Sequence, residues 1–463
     1  MKIRHFPPIF LASFLVMTVT GAVLAAGFFL PDKNIYILAI PPGLGLALFT
    51  WYYPDVIALI LVALIPLDTF ACLPGAIKQI SLFKVLFPLP LFILFLGVVF
   101  RRFESPQPHP MDRWVFLWVI LNLFLVAFSV DKVVALDFCR RFISMSLLYY
   151  LLTRIFCTPA KYRMLKQTII FSTALSVMIG LFAYFGGANP FSSHQDPNLL
   201  RTTGATGMDP NSYAVSLFLP MWLAVASALS YRKISHSAFY FMIALIISSG
   251  IMLTFSRSAF MVFAIMFFFA LIIWRKRLTP VHWGILLAGL VIFAMFLPHS
   301  FWERIASLGQ FFSGEVSDYS LWRRENYLAV GWNIIKEYPF FGAGPGNFPV
   351  LHADPAFQPD RSLVGVERLP HNLYLQVITE TGIVGLIFFC GAIGSTAITI
   401  RRGMKQGENE GALAGALLLT LIGFLMIGLF LHILLDKFLW LAFALIRIMP
   451  GVIKWQSQQS PAS

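Results

Sequence analysis

Charge is scarce in this sequence: Asp, Glu, Lys and Arg together make up 12% of its 463 residues, about half of what a globular domain carries. Cysteine is scarcer, and the four present, Cys72, Cys139, Cys157 and Cys390, sit in or beside apolar runs without paired spacing. That excludes a disulfide scaffold and a zinc site built on cysteines, and leaves them as packing residues. Period-2 alternation of apolar and polar residues is missing, which excludes a transmembrane β-barrel. No internal repeat and no low-complexity segment occurs. What is present is hydrophobic: 58% of residues are apolar, with 47 Phe and 11 Trp, and mean hydropathy is +0.79. A disordered chain is excluded on the same ground. Lipid is the main solvent of this chain.

About fourteen apolar runs occur, most of them long enough, at about 17–25 residues, to cross a ~30 Å hydrocarbon core. They cover approximately 9–30, 35–52, 55–68, 83–100, 113–130, 138–156, 166–187, 209–230, 237–254, 257–274, 281–298, 376–400, 411–435 and 437–449. The third and fourteenth are short, so the expectation is an all-α polytopic membrane protein with about 12–14 transmembrane helices, read as a single integral-membrane domain over residues 1–463. The first run follows Lys2, Arg4 and His5 but is longer than a signal-peptide core, so it reads as a helix. With a cytoplasmic N-terminus, the inside connections collect Arg101, Arg102, Arg113, Arg154, Lys161, Arg163, Lys166, Arg232, Lys233, Arg275, Lys276, Arg277, Arg401, Arg402, Lys405, Arg447 and Lys454, as the positive-inside rule demands. The net charge of +13 then faces anionic lipid and needs no nucleic acid to account for it.

Residues 299–372 break the run of short connections and read as one large outward loop, on the extracytoplasmic side, inserted between transmembrane helices. Phe301 to Phe312 reads as an amphipathic piece near the interface. A helix is expected from Asp318 or Ser320, as N-cap, to Tyr338, stopped by Pro339. The stretch Phe340-Phe-Gly-Ala-Gly-Pro-Gly-Asn-Phe348 is turn-rich. No Gly-Lys-Ser/Thr follows it, so it is not a phosphate-binding Walker loop.

Ionisable residues near the bilayer midplane mark ion and solute pathways. Asp55, Asp68, Arg140, Arg141, Glu380 and Asp436 all fall near predicted span ends, which weakens an ion-coupled transporter. Polar residues cluster outside instead, in Leu200-Arg-Thr-Thr-Gly-Ala-Thr-Gly-Met-Asp-Pro-Asn211, Thr254-Phe-Ser-Arg-Ser258 and Pro370-His-Asn-Leu-Tyr-Leu-Gln376. Each precedes a helix running inward, whose N-terminus offers free N–H groups and partial positive charge. Asp209, Ser256 and Asn372 are the expected N-caps, the first with Pro210 at N1. Arg201 and Arg257 at such starts would receive a strongly anionic group, such as a lipid phosphate or pyrophosphate, at membrane-surface depth. The plainer alternative for each arginine is snorkelling to headgroups. His371 reads either as a capping residue or, with cations lowering its pKa, as a neutral imidazole able to take a proton from an attacking hydroxyl. Arg324, in Trp322-Arg-Arg-Glu-Asn-Tyr327, is a third candidate anion ligand or a solvated face residue. The outward carboxylates Asp196, Asp209, Asp354, Asp360 and Glu367 lack metal-ligand spacing, so no metal and no cofactor is expected. No Gly-x-Ser-x-Gly elbow supports a serine nucleophile.

These motifs, in order and spacing, resemble the O-antigen ligase and polysaccharide polymerase superfamily of bacterial membrane glycosyltransferases. The resemblance spans roughly residues 165–445 and is strongest over 320–390. It rests on Arg201 to Asn211, Ser256-Arg257-Ser258, Arg324 ahead of Pro339 and the glycine-rich stretch, and His371-Asn-Leu-Tyr-Leu with Glu380-Thr-Gly-Ile-Val-Gly385. Lys437-Phe-Leu-Trp440 also fits. The resemblance implies a multi-pass protein of the bacterial inner membrane with its active site facing the periplasm. It implies a glycan donor linked to undecaprenyl pyrophosphate and a glycan or lipid A-core acceptor. Transfer to the acceptor hydroxyl would be metal-independent and inverting, with Arg201, Arg257 and Arg324 holding pyrophosphate and His371 as base. Ligases, polymerases and protein-directed transferases share this pattern; about fourteen spans lean towards polymerase. The competing expectation from another class is a lipid-linked glycan flippase or exporter without chemistry, in which His371 would be dispensable; the clustering of Arg and His at one face argues against it.

Overall fold

A computed structural model describes residues 40–67, 83, 86–99, 108–186, 201–206, 208–280, 282–284 and 319–459. The runs 9–30 and most of 281–298, and the amphipathic piece 301–312, lie outside the described residues, as does Asp318.

All regular elements among the described residues are helical. They are α1 (Ile40–Tyr52), α2 (Pro54–Leu64, prolonged by a 3₁₀ turn Ile65–Leu67), α3 (Pro88–Val99), α4 (Pro110–Val126), α5 (Lys132–Ile155), α6 (Pro159–Phe185), α7 (Pro210–Ser216), α8 (Phe218–Ser230), α9 (Ile234–Leu253), α10 (Arg257–Trp274), α11 (Tyr319–Glu337), α12 (Phe348–Ala353), α13 (Leu373–Gly403), α14 (Glu408–Ile427) and α15 (Lys437–Gln459). Among the described residues, seven stretches are long and apolar enough to cross a membrane: α6, α7–α8 together, α9, α10, α13, α14 and Lys437–Trp455 of α15. The chain is therefore an all-α, multi-pass membrane protein.

Local chemistry sets the boundaries. Proline occupies the first helical position of α2, α3, α4, α6 and α7, where its missing N–H costs nothing. Asp131 caps α5 through Val133 N and Val134 N at 2.8 and 3.0 Å, so this helix starts six residues before the apolar run expected at 138. The run 209–230 is broken at Leu217 because Pro220 has no N–H for the Ser216 carbonyl. The run 411–435 ends at Ile427, and 428–436 is a turn. There the carbonyls of Leu425, Gly428 and Leu429 accept from Tyr374 Oη, Leu373 N and Asn372 Nδ2 at 2.7, 2.6 and 3.2 Å, tying the end of α14 to the start of α13. Asp436 then caps α15 through Phe438 N at 2.7 Å. That helix continues through Pro450 to Gln459, well past the short run expected to end at 449.

The core lies where α4, α5, α13 and α15 meet. Trp118 of α4 puts its edge against Phe142 of α5 and Phe389 of α13, at 5.2 and 5.7 Å between centroids. Trp440 of α15 does the same to Phe142 at 5.4 Å. Such pairs add about 0.5–1.5 kcal/mol each beyond area burial. The same core extends to where α8 packs on α9 and α14. Large exposed side chains, Phe182 at 81% and Phe128 at 70% among them, lie on the outer helix surfaces, where acyl chains replace water as neighbours.

The described part of the large connection, 319–372, has a small core of its own. Tyr327, Val330 and Ile334 of α11 pack on Phe348 and Leu351 of α12 and on Leu375 of α13. The glycine-rich stretch docks it. Ala343 N and Gly344 N donate to Thr379 O and Glu380 O at 2.9 and 3.1 Å, while Ile383 N and Val384 N donate back to Pro339 O and Phe340 O. This exchange replaces the helical bonds interrupted at Gly382, whose φ of 64° and ψ of −166° kink α13. Gly342, Gly344 and Gly346 all have positive φ. A Cβ on Gly344 would run into Ser129, so only glycine fits there. Asn347 completes the clamp: its Oδ1 accepts from Asp131 N at 2.7 Å and its Nδ2 donates to Asp131 O at 3.2 Å.

Candidate active site

Arg201, Asp209, His371 and Arg324 gather at one end of the helical bundle. Arg201 Nε donates to Thr254 O at 2.7 Å and its Nη2 to Asn211 Oδ1 at 3.1 Å. Thr202 N donates to Leu253 O at 3.0 Å. These bonds lay the 201–206 segment against the junction of α9 and α10, where Phe255 takes a φ of 53°. Arg257 opens α10 three residues past the Thr254 carbonyl that holds Arg201.

The three expected caps differ in what they leave open. Asp209 accepts from Asn211 N and Ser212 N at 2.9 and 3.1 Å, and Asn372 from Tyr374 N and Leu375 N at 2.9 and 3.0 Å. Those two helix starts are occupied by their own side chains. Ser256 sits at the cap position of α10 without making the cap hydrogen bond, contrary to the expectation from sequence. Its hydroxyl turns into a buried environment and has no hydrogen-bond partner.

His371 immediately precedes the cap of α13 with a φ of 43°, a left-handed conformation uncommon outside glycine. Its ring stacks on Tyr327 of α11 at 5.8 Å and meets the ring of His432 nearly perpendicularly at 5.1 Å. Backbone strain of this kind persists only where surroundings over-determine it, and here the Leu373–Gly428 and Asn372–Leu429 hydrogen bonds fix the chain on either side. The ring stays partly open to solvent. Its pKa is lowered, first by the desolvation its packed neighbours impose; the Arg324, Arg323 and Arg368 cations push the same way and Asp209 opposes them. The expectation from sequence credited cations alone. The imidazole is neutral at pH 7 and can accept a proton.

Arg324 places its guanidinium 5.2 Å from the Phe430 ring, which orients it at the edge of the 428–436 turn. Behind Tyr327, His352 is fully buried, with its ring nitrogens bonded to Val366 O at 2.7 Å and Asn326 Oδ1 at 3.1 Å. Gln358 donates to His352 O at 3.0 Å. This satisfied network gives the stacking face of Tyr327 a rigid backing.

His432 and Arg368 escaped the sequence reading. His432 lies in the apolar run Phe430-Leu-His-Ile-Leu-Leu435, which hydropathy assigns to a span. The turn exposes it to His371 instead, its Nδ1 without a partner and its pKa held down to about 4 by burial and by His371. Arg368 stands three residues before His371, close enough to act on it electrostatically, and its Nε is buried without a partner. Only its nearness to His371 in sequence signalled it. Asp436, in the same turn, has its pKa raised to about 6 by burial, against hydrogen bonds from Phe438 N and Leu439 N.

No curated protein matches the chain. Residues 242–390 match the model of the O-antigen ligase family, a segment that runs from α9 into α13 and holds Arg257, Arg324 and His371, while Arg201 and His432 flank it. That match supports the resemblance of this chain to the O-antigen ligase and polysaccharide polymerase superfamily.

Proposed function

We propose that this protein transfers a glycan from undecaprenyl pyrophosphate to an acceptor hydroxyl at the extracytoplasmic face of the bacterial inner membrane, without a metal. The observation that carries the reading is His371: a neutral, partly open imidazole held in a left-handed backbone conformation, with Arg324, Arg323 and Arg368 acting on it. In the reaction, the acceptor oxygen forms a bond to the anomeric carbon of the reducing-end sugar as its proton passes to His371. The bond from that carbon to the pyrophosphate oxygen breaks, and undecaprenyl pyrophosphate leaves with the electron pair. Attack opposite the leaving group inverts the anomeric centre. A positioned base of this kind contributes typically 10²–10⁴-fold.

Charge grows on the pyrophosphate as it departs, and fixed cations meet it at least cost when they are already in place. Arg201 is pre-organised by Thr254 and Asn211. Arg257 stands at the helix start that no side chain caps, and Arg324 at the turn beside His371. Since Asp209 and Asn372 close the other two starts, the anion site centres on the α10 start. The large extracytoplasmic connection brings the base to the lipid-bound donor.

Purified protein and lipid-linked donor test these roles separately. His371→Ala abolishes transfer and retains donor affinity, whereas Arg257→Ala weakens donor binding as well as turnover. Wild-type turnover in the His371 variant contradicts the base assignment.

A further inference from the structure

At the end of the bundle opposite His371, α4, α13 and α15 part around a cavity of about 820 Å³, within the range of pockets that enclose a small ligand, roughly 300–1,000 Å³. Two close approaches bracket it. A Cβ on Gly391 would strike Trp114 of α4, and one on Gly403 would strike Met449 of α15. Between them Gly394 faces open space, with nothing within 4 Å of where its Cβ would be. The walls already satisfy their own polar atoms. His109 accepts from Met111 N at Nδ1 (3.2 Å), so its proton sits on Nε2, which reaches Thr399 Oγ1 at 3.0 Å; that hydroxyl donates to Ser395 O at 2.8 Å. Nearby, Asp112 is bound by Arg447 Nε at 2.9 Å and by Tyr149 Oη at 2.6 Å. Arg402 and Lys454 line the cavity, and among the described residues no carboxylate does.

The cavity thus joins an apolar trough, formed by Trp114, Gly394 and Ile398, to two cations near the ends of α13 and α15. This is the outline of a lipid, not of a soluble metabolite. We propose that the groove holds an anionic phospholipid, with its phosphate at Arg402 and Lys454 and one acyl chain along Gly394, Ile398 and Trp114. Lys and Arg at a membrane surface attract acidic lipid, and a groove without acidic lining offers an anionic headgroup no repulsion. The groove lies at the far end of α13 from His371, so its occupant is separate from a donor bound at the other end.

The test uses the full-length protein in nanodiscs of phosphatidylglycerol or phosphatidylcholine, followed by native mass spectrometry of the lipid retained on release. Wild type retains phosphatidylglycerol in preference to phosphatidylcholine. Because each cation strengthens attachment to anionic lipid about fivefold, Arg402→Gln with Lys454→Gln weakens retention roughly thirty-fold. Gly394→Leu fills the trough and loses the bound lipid, while Gly394→Ala keeps it; this pair decides the matter should the double variant fail to fold. Equal retention of the two lipids, wild-type retention in Gly394→Leu, or a polyprenyl lipid captured by a photocrosslinker at position 394 would each overturn the proposal.

Discussion

His371 combines two features that a capping residue does not need: a left-handed backbone and a ring left partly open between Tyr327 and His432. Its lowered pKa fixes the sign of its pH dependence. The folded protein binds fewer protons at His371 than the unfolded chain below pH 6.5, so acidification through that range costs stability, and the proposed base stays neutral until pH falls below the depressed folded value. His432, held down to about 4, adds to the same loss between pH 6.5 and about 4. The acidic limb of the rate profile is therefore expected below pH 6.5. Arg368→Gln removes one of the cations acting on His371 and moves that limb up. Asp209→Asn keeps a competent cap but removes the opposing anion, and moves it down. Steady-state rates across pH 4–8 check both shifts, and a limb that neither substitution moves would contradict the electrostatic account of His371.

At the scale of elements, the glycine-rich stretch is a clamp, joining the 319–372 unit to the kinked start of α13 and to the turn before α5. Gly344→Ala meets both a positive φ of 104° and the Ser129 side chain, and is expected to cost at least ~2 kcal/mol. Gly365→Ala shares the positive φ, at 81°, with open space around it, and costs only about 1 kcal/mol. Thermal unfolding of the two variants measures the difference, which isolates the clash. Sequence made much of this frame legible. Asp209-Pro210 and Asn372 announced their helix starts because a short polar side chain before an apolar run has few other uses. The stop at Pro339 was legible too. The turn at 428–436 was not, because its six apolar side chains look alike whether they span lipid or fold over a neighbouring helix; the decisive bonds come from Leu373, Asn372 and Tyr374, over fifty residues away. His432 was hidden with it. Ser256 misled for a related reason: the residue type allows a cap, but the rotation of its hydroxyl is set by tertiary packing.

The whole molecule divides its chemistry between two ends. One holds Arg201, Arg257, Arg324 and His371; the other holds Arg277 on the Glu408 carbonyl, the Asp112–Arg447 pair, and Arg402. On the proposed topology, drawn from the Lys/Arg bias, the second end faces the cytoplasm. In cells with the native cysteines replaced, a cysteine at the exposed position of Leu369 is expected to react with a membrane-impermeant maleimide, and one at Lys405 only after permeabilisation. The reverse pattern would invert the topology and remove the site from the periplasm. The most direct test of His371 as the base is complementation of a host lacking this gene by wild type or His371→Ala, with surface glycan and lipid-linked glycan separated on gels. The His371 variant is expected to be made and inserted but to fail to complement, leaving glycan on undecaprenyl pyrophosphate: single repeat units for a polymerase, long chains for a ligase. Full rescue by His371→Ala would contradict that assignment.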